Sequence, residues 1–199
     1  MQTAIQTFPP AYDHRSRTLE SPQTASVLSL PVVELLRELA GVIAQLSPAQ
    51  YTERCGESFF NGNIGGHVRH CLDHIRAVLD GFASGVVDYD HRERGTNIES
   101  DPAAARDEIR RLRRLAEDLA HVEAQAPLHV AILPTRDGQS VNLLSTLGRE
   151  LAFVLSHTIH HNAMIKGMAV ALGLKLPQTF GYAPATLAHF DHSEETCAQ

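Results

Sequence analysis

The stretch STLGRELAFVLSHTIHHNAMIKGMAVAL, residues 145–172, decides how this chain folds. Leu147, Leu151, Val154, Ile165, Met168 and Leu172 recur at helical spacing, and Gly173 supplies a stop, so the run predicts one long helix with a single apolar stripe. His157 and His161 lie beside or within that stripe, while His160 points away from it. Four residues apart, the first two present their rings one helical turn from each other on the same face. A helix offers two imidazoles to one metal ion at this spacing. Neither histidine has an acid close by in sequence, so each must be satisfied by backbone, water, a buried carboxylate or a metal.

A second histidine-bearing helix is predicted to start after Asn61 or Asn63 and run to about Phe82, with Ile64, Val68, Cys71, Ile75, Val78, Leu79 and Phe82 inward. At about 100° per residue, its His67, His70 and His74 fall within roughly 60° of one another. An earlier helix carries Val32, Leu35, Leu36, Leu39, Val42, Ile43 and Leu46; Pro31 suits its first turn, and Ser47-Pro48 stops it. Another starts at Asp101-Pro102 and reaches His121, with Ile109, Leu112, Leu115 and Leu119 inward. Between it and the last helix, Arg136-Asp137-Gly138 separates two short β-prone runs, which predicts a small hairpin. Four amphipathic helices give an all-α, four-helix bundle. Residues 1–26, with three prolines and little periodicity, read as an extended arm; 27–199 read as a single domain whose tail begins at about 174 and wraps over the helices.

Composition narrows the function. The 199 residues carry a formal charge of −6, and 15 of the 17 basic residues are Arg. That balance excludes a protein built mainly to neutralise nucleic-acid phosphates. No run approaches the roughly 18 apolar residues of a membrane helix, and the polar start lacks a signal-peptide pattern, so a cytoplasmic location is expected. Cys55, Cys71 and Cys197 are odd in number and scattered, as reduced thiols are. Twelve histidines stand out.

Two segments resemble the DinB-like, or YfiT-like, superfamily of metal-binding four-helix bundles. Asn63-Ile64-Gly65-Gly66-His67-Val68-Arg69-His70-Cys71-Leu72-Asp73 is similar to its second-helix pattern, a histidine followed three residues later by an acid. Ser156-His157-Thr158-Ile159-His160-His161 is similar to its H-x-x-H-H element. Helix order and the length between the motifs agree over residues 28 to 175. The resemblance implies up-down-down-up connectivity and one divalent ion, zinc or nickel, on His70, His157 and His161. Patterning by itself favours His67 and His74 over His70, so those two stand as supporting or substitute ligands. The chain departs from common members in having Asn162-Ala163-Met164 where Arg-Gly-Gln often follows the last histidine.

Three neutral imidazoles leave an ion its full charge and an open position, which suits acidifying water, polarising a carbonyl or holding a thiolate. The resemblance accordingly implies a hydrolase or a low-molecular-weight-thiol transferase acting on a small molecule, with a homodimer as the expected assembly. A non-enzymatic metal- or ligand-binding bundle is the alternative. Asp73 is a candidate base or orienting group, and Arg92 and Arg94, in the loop from Asp88 to Gly95, are candidate clamps for a substrate carboxylate or phosphate. Glu150 shares the face of His157 but lies about 10 Å along the axis, too far to ligate the same ion. Tyr182 and Phe180 are placed to cover the site or simply to pack. Arg110 to Arg114 read as a solvated face, and Cys71 reads as core.

Overall fold

Three side chains set where the long helices begin. The computed structural model describes residues 23–57, 61–90 and 95–197. Within it, Asn63 accepts a hydrogen bond from the Gly66 amide, Asp101 from Ala103 and Thr146 from Arg149, each satisfying a donor that the helix start leaves open. The elements run α1 (Ser26–Ile43), α2 (Pro48–Thr52), α3 (Ile64–Ser84), β1 (Val86–Asp88), α4 (Pro102–Asp118), β2 (Pro127–Ile132), β3 (Val141–Thr146), α5 (Leu147–Ala171) and α6 (Pro184–Cys197), with 3-10 turns at Asn97–Glu99 and Leu119–His121. α1, α3, α4 and α5 form the bundle. α1 and α3 each pack against both α4 and α5, so these two stand diagonally across it. The core lies between them, built on Leu36, Leu39, Leu72, Ile75, Ile109, Leu112, Leu151 and Ile165.

Against the bundle sits a small sheet in the order β1-β2-β3. The anticipated hairpin is β2 and β3, paired antiparallel from Pro127↔Thr146 to Ile132↔Val141. β1 was not anticipated: it leaves α3 through Gly85 (φ 74°) and pairs parallel with β2, Val86 opposite His129. Three residues are too few to show an alternation.

Three details correct the sequence reading, and a fourth selects between two alternatives it leaves open. α1 begins at Ser26, so Pro31 lies in its interior rather than its first turn. The chain is guided into the helix early because Thr24 bridges to Glu123 and the Ala25 amide donates to the Val122 carbonyl (2.7 Å). Pro31 is on an exposed face, where solvent can take over the carbonyl it leaves without a donor. After α1 ends, Ser47 and Gln50 close a reciprocal capping box and Pro48 opens the short α2. The segment after 174 also contains a helix, α6. Finally, Phe180 is 1% exposed and belongs to the core, while Tyr182 lies under the Lys166 ammonium (4.3 Å); neither ring packs on a histidine of α3 or α5. Of the N-terminal stretch, residues 1–22 lie outside the described residues.

The entrance to α3 depends on a missing side chain. A Cβ on Gly65 would stand 2.1 Å from the Glu99 carbonyl oxygen and 2.8 Å from the Tyr51 ring, whose hydroxyl donates to the Ile98 carbonyl (2.7 Å). Gly41, exposed in α1, has nothing within 4 Å of the same position. Gly65→Ala is expected to cost about 1–3 kcal/mol and Gly41→Ala to gain about 0.5–1 kcal/mol. At about 2–4 °C per kcal/mol, thermal melts should move in opposite directions. A melt unchanged in Gly65→Ala would contradict the packing described for α3.

Candidate metal centre

α3 and α5 lie side by side, and their facing surfaces bring five imidazoles together. From α3 come His67, His70 and His74, all on one face as the wheel requires; from α5 come His157 and His161. His70 Nε2 and His157 Nε2 are 2.9 Å apart. His74 Nδ1 donates to the His70 carbonyl at 2.9 Å, which fixes the proton on Nδ1 and leaves Nε2 as a lone-pair donor. One nitrogen from each of His70, His74 and His157 lies within 4.8 Å of the other two. A tetrahedral ion with zinc–nitrogen bonds of about 2.0–2.1 Å separates its ligand atoms by about 3.3 Å, so a small adjustment of these rings meets its needs.

The other two histidines pair with each other. His67 Nδ1 and His161 Nδ1 are 2.9 Å apart, and the His161 ring centroid is 4.6 Å from those of both His70 and His157. Of the ligands implied by resemblance, His70 and His157 thus face each other nitrogen to nitrogen, whereas His161 directs Nδ1 at His67. Burial, with His157 next, lowers the His161 pKa to about 4; burial and then His160 lower that of His67. Both rings are therefore neutral at neutral pH, the form that binds metals.

A collar of aromatic rings fixes the cluster. Tyr89 stacks on His74 (5.4 Å, 21°), Phe153 stacks on His157 (5.6 Å, 26°), and the Arg149 guanidinium lies 5.4 Å above Phe153. Behind them Glu150 is fully buried. Tyr89 donates its hydroxyl to Glu150 Oε2 at 2.5 Å, while Ser145 and Arg149 (2.9 Å) donate to Oε1. Burial and the Glu150 carboxylate push the Tyr89 phenol far above its ordinary range, so it stays a donor. Sequence placed Glu150 on the face of His157 but gave Tyr89 no role. Its signal was slight, a single aromatic in the charged run from Asp88 to Gly95.

Two cavities flank the cluster. One of 450 Å³ is bordered by His67, His70 and His161 on one side and by Arg54, Arg69 and Glu99 on the other. The second, of 280 Å³, lies beyond Tyr89 and Phe153 against Val130, Ile132 and Leu143 of the sheet. Asp73 lines neither. Almost fully buried, it is paired with Arg69 and Arg76 (3.4 Å each) and borders a charged cavity between α3 and α4. Arg92 and Arg94 lie outside the described residues. Cys71 is fully buried, and burial raises its thiol to about 12; the Arg110–Arg114 run is engaged by Asp107, Asp80, Glu108 and Glu117. No helix among the described residues is long and apolar enough to cross a membrane.

A helical bundle with imidazoles converging between two of its helices defines a class of protein equipped to bind a metal. The DinB superfamily model matches residues 32–165, and the chain belongs to that family. The chain is also 36% identical over 105 residues to FK506-binding protein 5 of Rhizopus delemar, a match covering 52% of this chain and 27% of that protein. The matched region thus spans about a quarter of that relative's length. No solved structure matches.

The lowered histidine pKa values give the metal-free protein a definite pH dependence. Between pH 6.5 and about 4 the unfolded chain binds a proton at His161 that the folded chain does not, so stability rises with pH and is lost as pH falls through that window. Denaturant titrations of metal-free protein should show this fall, and His161→Gln should make it shallower. Identical pH profiles for the two proteins would contradict the assigned environment of His161.

Proposed function

We propose that the chain is a metal-dependent enzyme acting on a small molecule, with one divalent ion held by His70, His157 and a third histidine. The observation that carries this reading is the 2.9 Å approach of His70 Nε2 to His157 Nε2, with a His74 nitrogen completing the group of three. The third ligand favoured by this geometry is His74, whose tautomer is already fixed by the His70 carbonyl. The superfamily resemblance instead implies His161. The donor set fits a late divalent ion such as zinc or nickel, since imidazole suits both. An ion on three neutral imidazoles keeps its full charge, and the chemistry it supplies is Lewis acidity toward a carbonyl, water or thiol.

The chain's own contribution is orientation. Stacking on Tyr89 and Phe153 fixes the ring planes of His74 and His157, and the Glu150 hydrogen bond in turn fixes Tyr89. The 450 Å³ cavity gives a small substrate access to the cluster from the His67, His70 and His161 side, with Arg54 and Arg69 as cationic walls. Hydrolysis and transfer of a low-molecular-weight thiol to an electrophile are the two reaction classes this arrangement supports, with the substrate and a thiol cosubstrate as its small-molecule partners.

Elemental analysis of untagged protein after dialysis against metal-free buffer tests the reading. About one tightly held ion per chain is expected, lost in His70→Ala and in His157→Ala, together with metal-dependent turnover in ester or thiol-plus-electrophile panels. No bound metal after incubation with zinc or nickel would sink the proposal. Metal without turnover would leave a binding bundle.

A further inference from the structure

The 450 Å³ cavity that reaches His67, His70 and His161 is bordered on its other side by Arg54, Arg69 and Glu99, two arginines against one glutamate. Their charges are not evenly matched. Arg69 is held by Glu99 (3.0 Å) and Asp73 (3.4 Å), so carboxylates already neutralise its guanidinium. The arginines at the neighbouring cavities are neutralised too, Arg76 by Asp73 and Glu108, Arg111 by Asp80 and Glu108, and Arg149 by Glu150. Arg54 differs from all of these. It lines the cavity, and among the described residues no carboxylate stands within ion-pairing distance of it. The first turn of α3 lines the same space through Asn63, Gly66 and His67, so the positive end of a 21-residue helix adds to the potential there.

We propose that this cavity takes a small molecule carrying a carboxylate, with the carboxylate on Arg54 and the far end of the molecule directed at the histidine cluster. The inference rests on the metal-dependent reading given above and names the class of substrate that the same site accepts. A planar guanidinium meets a carboxylate through two parallel N–H···O bonds, a fit that a neutral amide cannot reproduce. One cation without a partner matches one negative charge. A phosphate monoester carries about 1.5–2 negative charges, and the excess would lie beside Glu99 on the same lining. The volume falls within the roughly 300–1,000 Å³ of small-molecule sites. An anchored carboxylate also fixes one end of the molecule, so that its other end meets an ion on the imidazoles. Arg54 is thereby a specificity-determining residue. It is exposed and follows α2 outside the core, so replacing it leaves the bundle packing alone.

Titration of metal-free protein with butyrate, followed by nuclear magnetic resonance, tests the site without the ion. Butyrate should shift the amide signals of Gly62, Gly66 and His67, which line the cavity, and butyramide should bind at least about tenfold more weakly. Arg54→Gln should lose about tenfold or more in butyrate affinity, and Arg54→Lys should recover only part of it. Arg114→Gln, exposed on α4, should bind as the parent does. Cobalt(II)-loaded protein then reports orientation through proton relaxation of the bound butyrate. Its terminal methyl group should relax faster than the methylene next to the carboxylate.

Equal binding of butyrate and butyramide, or butyrate affinity unchanged in Arg54→Gln, would overturn the proposal. Faster relaxation of the methylene would place the carboxylate on the ion, which overturns the proposal and leaves the metal-dependent reading intact. Propyl phosphate binding more tightly than butyrate would assign the cavity to a dianion and overturn it as well. Butyrate held through Arg54 by a protein that takes up neither zinc nor cobalt would uphold the carboxylate site and sink the metal-dependent reading.

Discussion

Everything at the candidate centre depends on imidazole nitrogens facing one another across the contact between α3 and α5. Two aliphatic side chains in the place of His70 and His157 would make an ordinary bundle seam. With nitrogens 2.9 Å apart on half-buried rings, the seam instead carries lone pairs turned toward each other, which a shared proton or a bound cation satisfies. Burial holds the neighbouring His161 ring neutral at neutral pH, so its own 2.9 Å contact with His67 holds a shared proton or a cation rather than two charged rings. Helix packing is thereby linked to ligand chemistry.

The small sheet explains why that arrangement is rigid. β1 delivers Tyr89 immediately after Asp88, and β3 delivers Ser145; both donate to Glu150, the buried carboxylate in the first turn of α5. Arg149 supplies a further charged donor to the same carboxylate. A buried carboxylate lacking such donors would be costly, so the sheet, the start of α5 and the Tyr89 ring are mutually dependent. Tyr89 then stacks on His74. The path from sheet to histidine is therefore carboxylate, phenol, imidazole.

Much of this was legible in the sequence. The stripe through Leu147, Leu151, Val154 and Ile165 predicts α5, Asp101 marks the start of α4, and of the two starts open for α3, Asn61 and Asn63, the structure takes Asn63. The histidine spacing identified both helices of the centre. The wheel favoured His67 and His74 on α3 and the family register favoured His70; in the structure all three rings enter the cluster, because a 60° sector faces α5. What the sequence did not reveal rests on long-range contacts. Tyr89 and Glu150 are 61 residues apart, β1 is a three-residue strand made by pairing with β2, and the early start of α1 comes from backbone bonds to residues 122–124. None of these has a local pattern. The β3 edge adds one exposed feature, Leu144 at 80%, that no helical periodicity would mark.

The most direct measurement is X-ray absorption at the zinc edge on protein reconstituted with a single equivalent of zinc. The account predicts a shell of three imidazole nitrogens at about 2.0–2.1 Å with outer scattering from the rings. A shell containing sulfur at about 2.3 Å, or one of oxygen atoms alone, would contradict it.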